Sequence, residues 1–194
     1  MRCLPLILIL LPSLVHTSTQ ERHQLNHSDE FVKQSVTVLS VSAREFINAF
    51  NEASDRVRLV LVFSPTCRHC LQGASQVQEI LQEHPDAKIK ILVLWSPILK
   101  GDSESKVIDA TVYLSDGRAE HFWDLWSFGV RLYTKQLRYP KGDIAWDIFV
   151  VYKPFLAWTK TTPDPTLWMQ DRNLEHGLKY DRQRLEAALE KWIQ

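Results

Sequence analysis

Leu59-Val60-Leu61-Val62-Phe63-Ser64-Pro65-Thr66-Cys67-Arg68-His69-Cys70-Leu71 decides how this chain is read. Leu59 to Phe63 is a short apolar run without alternation, the pattern of a strand buried on both faces. Ser64-Pro65-Thr66 interrupts it. Beyond the interruption Leu71, Ala74, Val77 and Leu81 recur at helical spacing, while Gln72, Ser75, Gln76, Glu79 and Glu83 take the other face. Pro85 ends that helix. Cys67 and Cys70 therefore sit between a buried strand and the opening of a helix, the setting of a thiol–disulfide centre.

The only other cysteine, Cys3, precedes Leu4 to Val15, an apolar stretch interrupted by Pro5 and Pro12. Arg2 before it and the small residues Thr17, Ser18 and Thr19 after it give residues 1–19 the form of a signal peptide. The stretch is too short for an ordinary membrane span. The expected protein is exported, periplasmic or secreted, without a membrane span once the signal is removed. About 175 residues remain, enough for one domain with a sizeable core. In that compartment disulfides form and persist, and both remaining cysteines belong to the CxxC. The chain has 23 basic and 23 acidic residues and no basic stripe, which argues against a nucleic-acid partner.

Residues 20–34 are polar and without period, and read as a flexible lead-in. Residues 35–194 read as the domain. Ser35 to Val41 suggests a first strand. Ser42-Ala43-Arg44-Glu45 has the form of a capping box, opening a helix with Phe46, Ala49, Phe50 and Ala53 on one face. Ile89 to Trp95 and Ile148 to Tyr152 are further strands, and Phe155 to Trp158 is a short edge strand. Asp181 to Gln194 is a closing helix with Leu185, Ala188, Leu189 and Trp192 on one face. Between Ser96 and Ala145 lies an elaboration with a turn at Asp116-Gly117-Arg118 and one helix near Ser127 to Gln136, expected to pack near the redox end of the sheet. The order implies a parallel sheet core with flanking helices.

Strand, helix, strand, CxxC helix, strand, insertion, strand pair and helix together resemble the thioredoxin fold over most of the chain from Ser35 on. Val93-Leu94-Trp95-Ser96-Pro97-Ile98-Leu99, Asp116 with Arg118, Phe122-Trp123-Asp124 and Ala145-Trp146-Asp147 resemble a poorly characterised group of exported bacterial thioredoxin-like proteins with a CxxC centre. The resemblance implies an α/β fold, a central mixed sheet with flanking helices and an insertion before the last strands. Departures stand beside it. Arg68-His69 fills the CxxC, and Thr66 stands where thioredoxins carry Trp. Leu61 occupies the place of the family's buried Asp, and Trp146 is aligned with its cis-proline.

A sulfur at a helix N-terminus is stabilised as thiolate by unpaired N–H groups and the helix dipole. Cys67 is thus the expected nucleophile and Cys70 the resolving thiol. Arg68 and His69 are expected to favour the Cys67 thiolate further. The implied potential is more oxidising than thioredoxin's, roughly −120 to −230 mV. The expected function is thiol–disulfide exchange with protein thiols or disulfides, together with a redox partner the sequence does not name. No cofactor is called for. Two other classes remain open. One is a carrier of a soft metal such as Cu(I), with His69 or His121 as third ligand; no second CxxC supports a closed zinc site. The other is a non-turnover binding module, for which Trp95, Trp123 and Trp146 could form a binding wall. Asp116, Arg118, Glu120, His121 and Asp124 are read as paired or solvated rather than catalytic.

Overall fold

The computed structural model describes residues 33–172 and 174–192. The expected signal peptide and the lead-in up to residue 32 lie outside the described residues. At its end, Lys33 pairs with Asp109 at 2.8 Å, and Gln34 donates to the Ser115 carbonyl at 2.6 Å.

Seven strands form one sheet in the order β1-β4-β3-β2-β5-β6-β7. They are β1 (Val36–Val38), β2 (Val57–Phe63), β3 (Ile89–Trp95), β4 (Ala119–Trp123), β5 (Ile148–Tyr152), β6 (Leu167–Gln170) and β7 (Leu178–Lys179). The first four in space run parallel, β5 is antiparallel to β2, and β6 is antiparallel to β5. Five helices flank them: α1 (Arg44–Glu52), α2 (Arg68–Glu83), α3 (Glu104–Ala110), α4 (Phe128–Gln136) and α5 (Arg182–Glu190), with a 3-10 turn at Thr111–Tyr113 after α3.

Strand pleat sorts the core into two layers. Leu59, Leu61, Phe63, Ile91, Val93, Trp95, Phe149 and Val151 face α2, α3 and α5. Val60, Val62, Leu92, Leu94, Phe122, Ile148, Val150 and Tyr152 face α1 and α4. The unalternating sequence of β2 follows directly, because every one of its residues is buried. This is the expected α/β class, a central mixed sheet between helices, with the insertion contributing α3, β4 and α4.

The insertion differs from expectation in placement. It adds β4 as an inner strand between β1 and β3 instead of only packing near the redox end. Its polar residues concealed the strand. His121 is buried, with Nε2 on the Leu114 carbonyl and Nδ1 accepting from Trp95 Nε1 at 3.0 Å, and Glu120 pairs with Lys90. Asp116 pairs with Arg118, whose guanidinium also donates to the carbonyls of Leu81, His84 and Pro85 at the end of α2.

Two further expectations are corrected. Phe155 to Trp158 is not a strand, and β6 is the partner of β5. Asn51 brackets the backbone of Trp158, and Phe155 N–H donates to the Ser54 carbonyl, so this segment spends its polar groups on the end of α1. The capping box is also displaced. Ala43, with φ 50°, precedes α1, and Glu45 accepts from the N–H and hydroxyl of Ser40 rather than pairing with Ser42. No helix among the described residues is long and apolar enough to cross a membrane.

Arg58 is the unexpected group in the core. Its guanidinium is sealed and donates to the carbonyls of Phe50, Lys153 and Leu156, lying over the Phe50 ring. Arg58→Met leaves those carbonyls unpaired and is expected to cost about 3–5 kcal/mol. The check is a urea unfolding midpoint with unchanged slope.

Candidate redox site

β2 is central, paired to β3 on one side and β5 on the other, so the loop leaving its end emerges at the middle of the sheet edge. Three backbone bonds hold that edge together. Ser96 N–H donates to Phe63, Asp147 N–H to Val62 and Asp124 N–H to Trp95. Asp102 then clamps the Ser64–Thr66 loop. Its Oδ1 accepts from Ser64 Oγ at 3.1 Å and Thr66 Oγ1 at 2.5 Å, and its Oδ2 accepts from the N–H groups of Ile98 and Leu99. α2 lies close against the sheet because it carries Gly73, where a Cβ would stand 2.8 Å from Phe149 Cζ.

Cys67 is the N-cap of α2, in extended conformation, and its Sγ accepts from the Cys70 N–H at 3.5 Å. Sulfur here takes the place that Ser or Asp oxygen takes at ordinary helix starts. The Cys70 Sγ accepts from the Ser64 N–H at 3.5 Å. Both cysteines are unbridged thiols; Cys67 keeps 7% of its surface open, and Cys70 none. Of the two, only Cys67 retains any exposure.

The environment separates the pair chemically. The Cys70 thiol donates to Cys67 and, with the Cys70 and His69 backbone N–H groups, outweighs burial and lowers the Cys67 pKa to about 6. Cys70 is raised well above an ordinary thiol, first by burial and then by the hydrogen bond it gives.

A third group, not selected from the sequence, completes the site. One carboxylate oxygen of Asp147 and both sulfurs lie within 4.8 Å of one another. Asp147 is 2% exposed, has φ 56° and directly precedes β5. It is therefore the residue of this loop whose polar group meets the thiols, while the neighbouring Trp146 packs against the apolar cluster that holds both cysteines. Burial, then the charge of Cys67 and of Asp171, pushes its pKa up to about 7, against the charge of His69. Its Oδ1 has no hydrogen-bond partner among the described residues. The available signal was an Asp abutting the wholly apolar run Ile148 to Tyr152.

The other selected residues disperse. Arg68 and His69 are exposed, and His69 Nδ1 lies 3.8 Å from Asp171 Oδ2. Leu61 is core. Trp95 and Trp123 are buried at 0% and 4%, which leaves them no face for a partner. Trp146 is half-buried, with the Arg172 guanidinium 5.1 Å from its ring centre. Neither His69 nor His121 joins the sulfurs in a potential ligand group among the described residues; the third member is Asp147. Asp124 is also structural, accepting from Ser96 Oγ and from the N–H groups of Phe128 and Gly129 at the start of α4.

No family model matches the chain, and no curated protein matches it. Similar solved structures include a secreted Mycobacterium tuberculosis disulfide oxidoreductase homologous to E. coli DsbE. It is 11% identical with a TM-score of 0.44, over 72% of this chain and 84% of that one. MTB dsbF, in mixed oxidized and reduced forms, is 9% identical with a TM-score of 0.46, over 72% and 83%. A thioredoxin-like protein in the oxidized form is 14% identical with a TM-score of 0.44, over 71% and 80%. Likenesses of this size assign neither a family nor an activity, so the functional reading rests on the thiols and the carboxylate beside them.

The charge arrangement has two measurable consequences. Thiolate absorbance should rise with a midpoint near pH 6, vanish in Cys67→Ser and move to higher pH in Cys70→Ala, which removes the main hydrogen bond to Cys67. For Asp147, the folded carboxyl holds its proton from its ordinary 3.8 up to about 7, so ionisation costs the folded state across that window. Asp147→Asn should therefore gain stability over the native chain as pH rises through it, with the gain flat above about 7. Urea midpoints of both chains across that range provide the check.

Proposed function

We propose that this chain is an exported thiol–disulfide oxidoreductase acting on protein thiols or disulfides through Cys67 and Cys70. The observation that carries the reading is the asymmetric pair: a lowered, reachable thiol at a helix opening over a raised, sealed one, with a buried carboxylate beside both. Export rests on the sequence of residues 1–19 alone.

In the reducing direction the Cys67 thiolate attacks one sulfur of a substrate disulfide. A Cys67–substrate disulfide forms, and the other substrate sulfur leaves as thiolate. The Cys70 thiol gives its proton to the Asp147 carboxylate, and the resulting thiolate attacks Cys67 Sγ. The Cys67–Cys70 disulfide forms, the second substrate sulfur departs, and two electrons have passed to the substrate. The oxidising direction is the same sequence reversed. A carboxyl with a pKa about 7 accepts and returns a proton near neutral pH, which an ordinary Asp does poorly.

Exposed apolar residues support a protein substrate. Val41, Leu99, Trp126 and Ile144 all belong to loops at the end of the sheet where the thiols lie, and each is exposed. The soft-metal alternative gains less. Among the described residues, the third potential ligand beside the sulfurs is a hard carboxylate oxygen, which ions such as Cu(I) do not favour.

Insulin reduction and dithiol oxidation should both proceed and should both be lost in Cys67→Ser. Activity surviving in Cys67→Ser and Cys70→Ser would overturn the reading. Failure of the reduced protein to bind Cu(I) more tightly than the double Ser variant removes the carrier alternative. Asp147→Asn should leave formation of the mixed disulfide intact and slow its resolution by roughly 10²-fold, read as accumulated covalent adduct in a single-turnover quench.

A further inference from the structure

Two depressions follow one stripe of α2 away from the core. The first, of about 330 Å³, is lined by Thr66, Arg68, Leu71, Gln72 and Tyr113. The second, of about 490 Å³, is lined by Ser75, Gln78, Glu79, Val112 and Tyr113. Tyr113, exposed on the 3-10 turn, is a wall of both. Positions 68, 71, 72, 75, 78 and 79 recur at helical spacing, so the two depressions lie end to end along one face of the helix with Tyr113 between them, and together they are treated as a groove. From Arg68 to Glu79 it runs ~16 Å at the helical rise. Its first wall lies one residue from the redox centre in sequence, because Thr66 and Arg68 flank Cys67.

Charge in this groove is lopsided. Glu79 is held by Arg182 at 2.6 Å, and Asp116, whose N–H donates to Gln78, is held by Arg118. Neighbouring His69 faces Asp171. Arg68 has no ion pair or hydrogen bond among the described residues, and it stands at the end where a substrate sulfur would meet Cys67.

Resting on the oxidoreductase reading, we propose that this groove seats the substrate as an extended polypeptide of ~5 residues with an acidic side chain next to its reactive cysteine. The substrate carboxylate meets Arg68. The chain then runs along Gln72 and Ser75, with a side chain against the Tyr113 ring. A small thiol would use the Arg68 end alone and leave the length of the groove empty.

The test separates docking from exchange. The full-length chain with both Cys67→Ser and Cys70→Ser is titrated calorimetrically with two hexapeptides in which Ser stands for the reactive cysteine. They differ only by Glu or Lys beside that Ser. The Glu peptide should bind about threefold to fivefold more tightly, the size of one exposed ion pair, and the ratio should shrink in high salt. Arg68→Lys in the same background should keep the preference, and Arg68→Glu should invert it. A Glu tripeptide should bind about tenfold more weakly than the hexapeptide, having lost the Tyr113 end. No binding, equal affinities, a preference indifferent to Arg68→Glu, or a tripeptide as tight as the hexapeptide would each overturn the proposal. Because the titrated chain lacks both thiols of the CxxC, these failures leave the exchange reading untouched, and failure of insulin reduction leaves the affinity ratio standing.

Discussion

The hydrogen bonds received by the Cys67 sulfur at the start of α2 are the interaction on which the site depends. Cys67 has the place and conformation of an N-cap, so the geometry that begins the helix is also the geometry that stabilises a thiolate. The asymmetry between the thiols follows from it. One sulfur receives the helix N–H groups and the partner's S–H; the other gives that S–H away and is sealed beneath. A helix begun one residue earlier or later would lose both the cap and the separation of roles.

Asp147 is the second element and a costly one. A carboxylate with an unpartnered oxygen inside a core is unfavourable wherever no chemistry uses it. Here one of its oxygens lies within 4.8 Å of both sulfurs, and its place directly before β5, with its N–H bonded to the Val62 carbonyl of β2, sets its position independently of α2. The thioredoxin resemblance places a carboxyl on β2 itself, where this chain has the core residue Leu61. The acid comes instead from the loop before the neighbouring strand β5.

Much of the fold was legible because its elements are periodic. β2, β3, β5 and the buried face of α2 appear at the positions that apolar spacing indicates. β4 was hidden because Glu120 and His121 interrupt the apolar signal, and only tertiary partners, Lys90 for one and Trp95 with the Leu114 carbonyl for the other, make them acceptable in a strand. The cysteines announced themselves by spacing and setting. Asp147 and Asp102 did not, since their roles come from loops separated by tens of residues that meet only at the sheet edge. The tryptophans misled for a related reason: a ring near a reactive centre in sequence order is as readily core as surface, and Trp95 and Trp123 are core.

α2 is fastened at both extremities, by Asp102 on the loop that feeds it and by Arg118 on the carbonyls that end it. Neither fastening involves sulfur. Both anchors are thus chemically separate from the thiols, and a change at the sulfurs consumes neither of these two attachments.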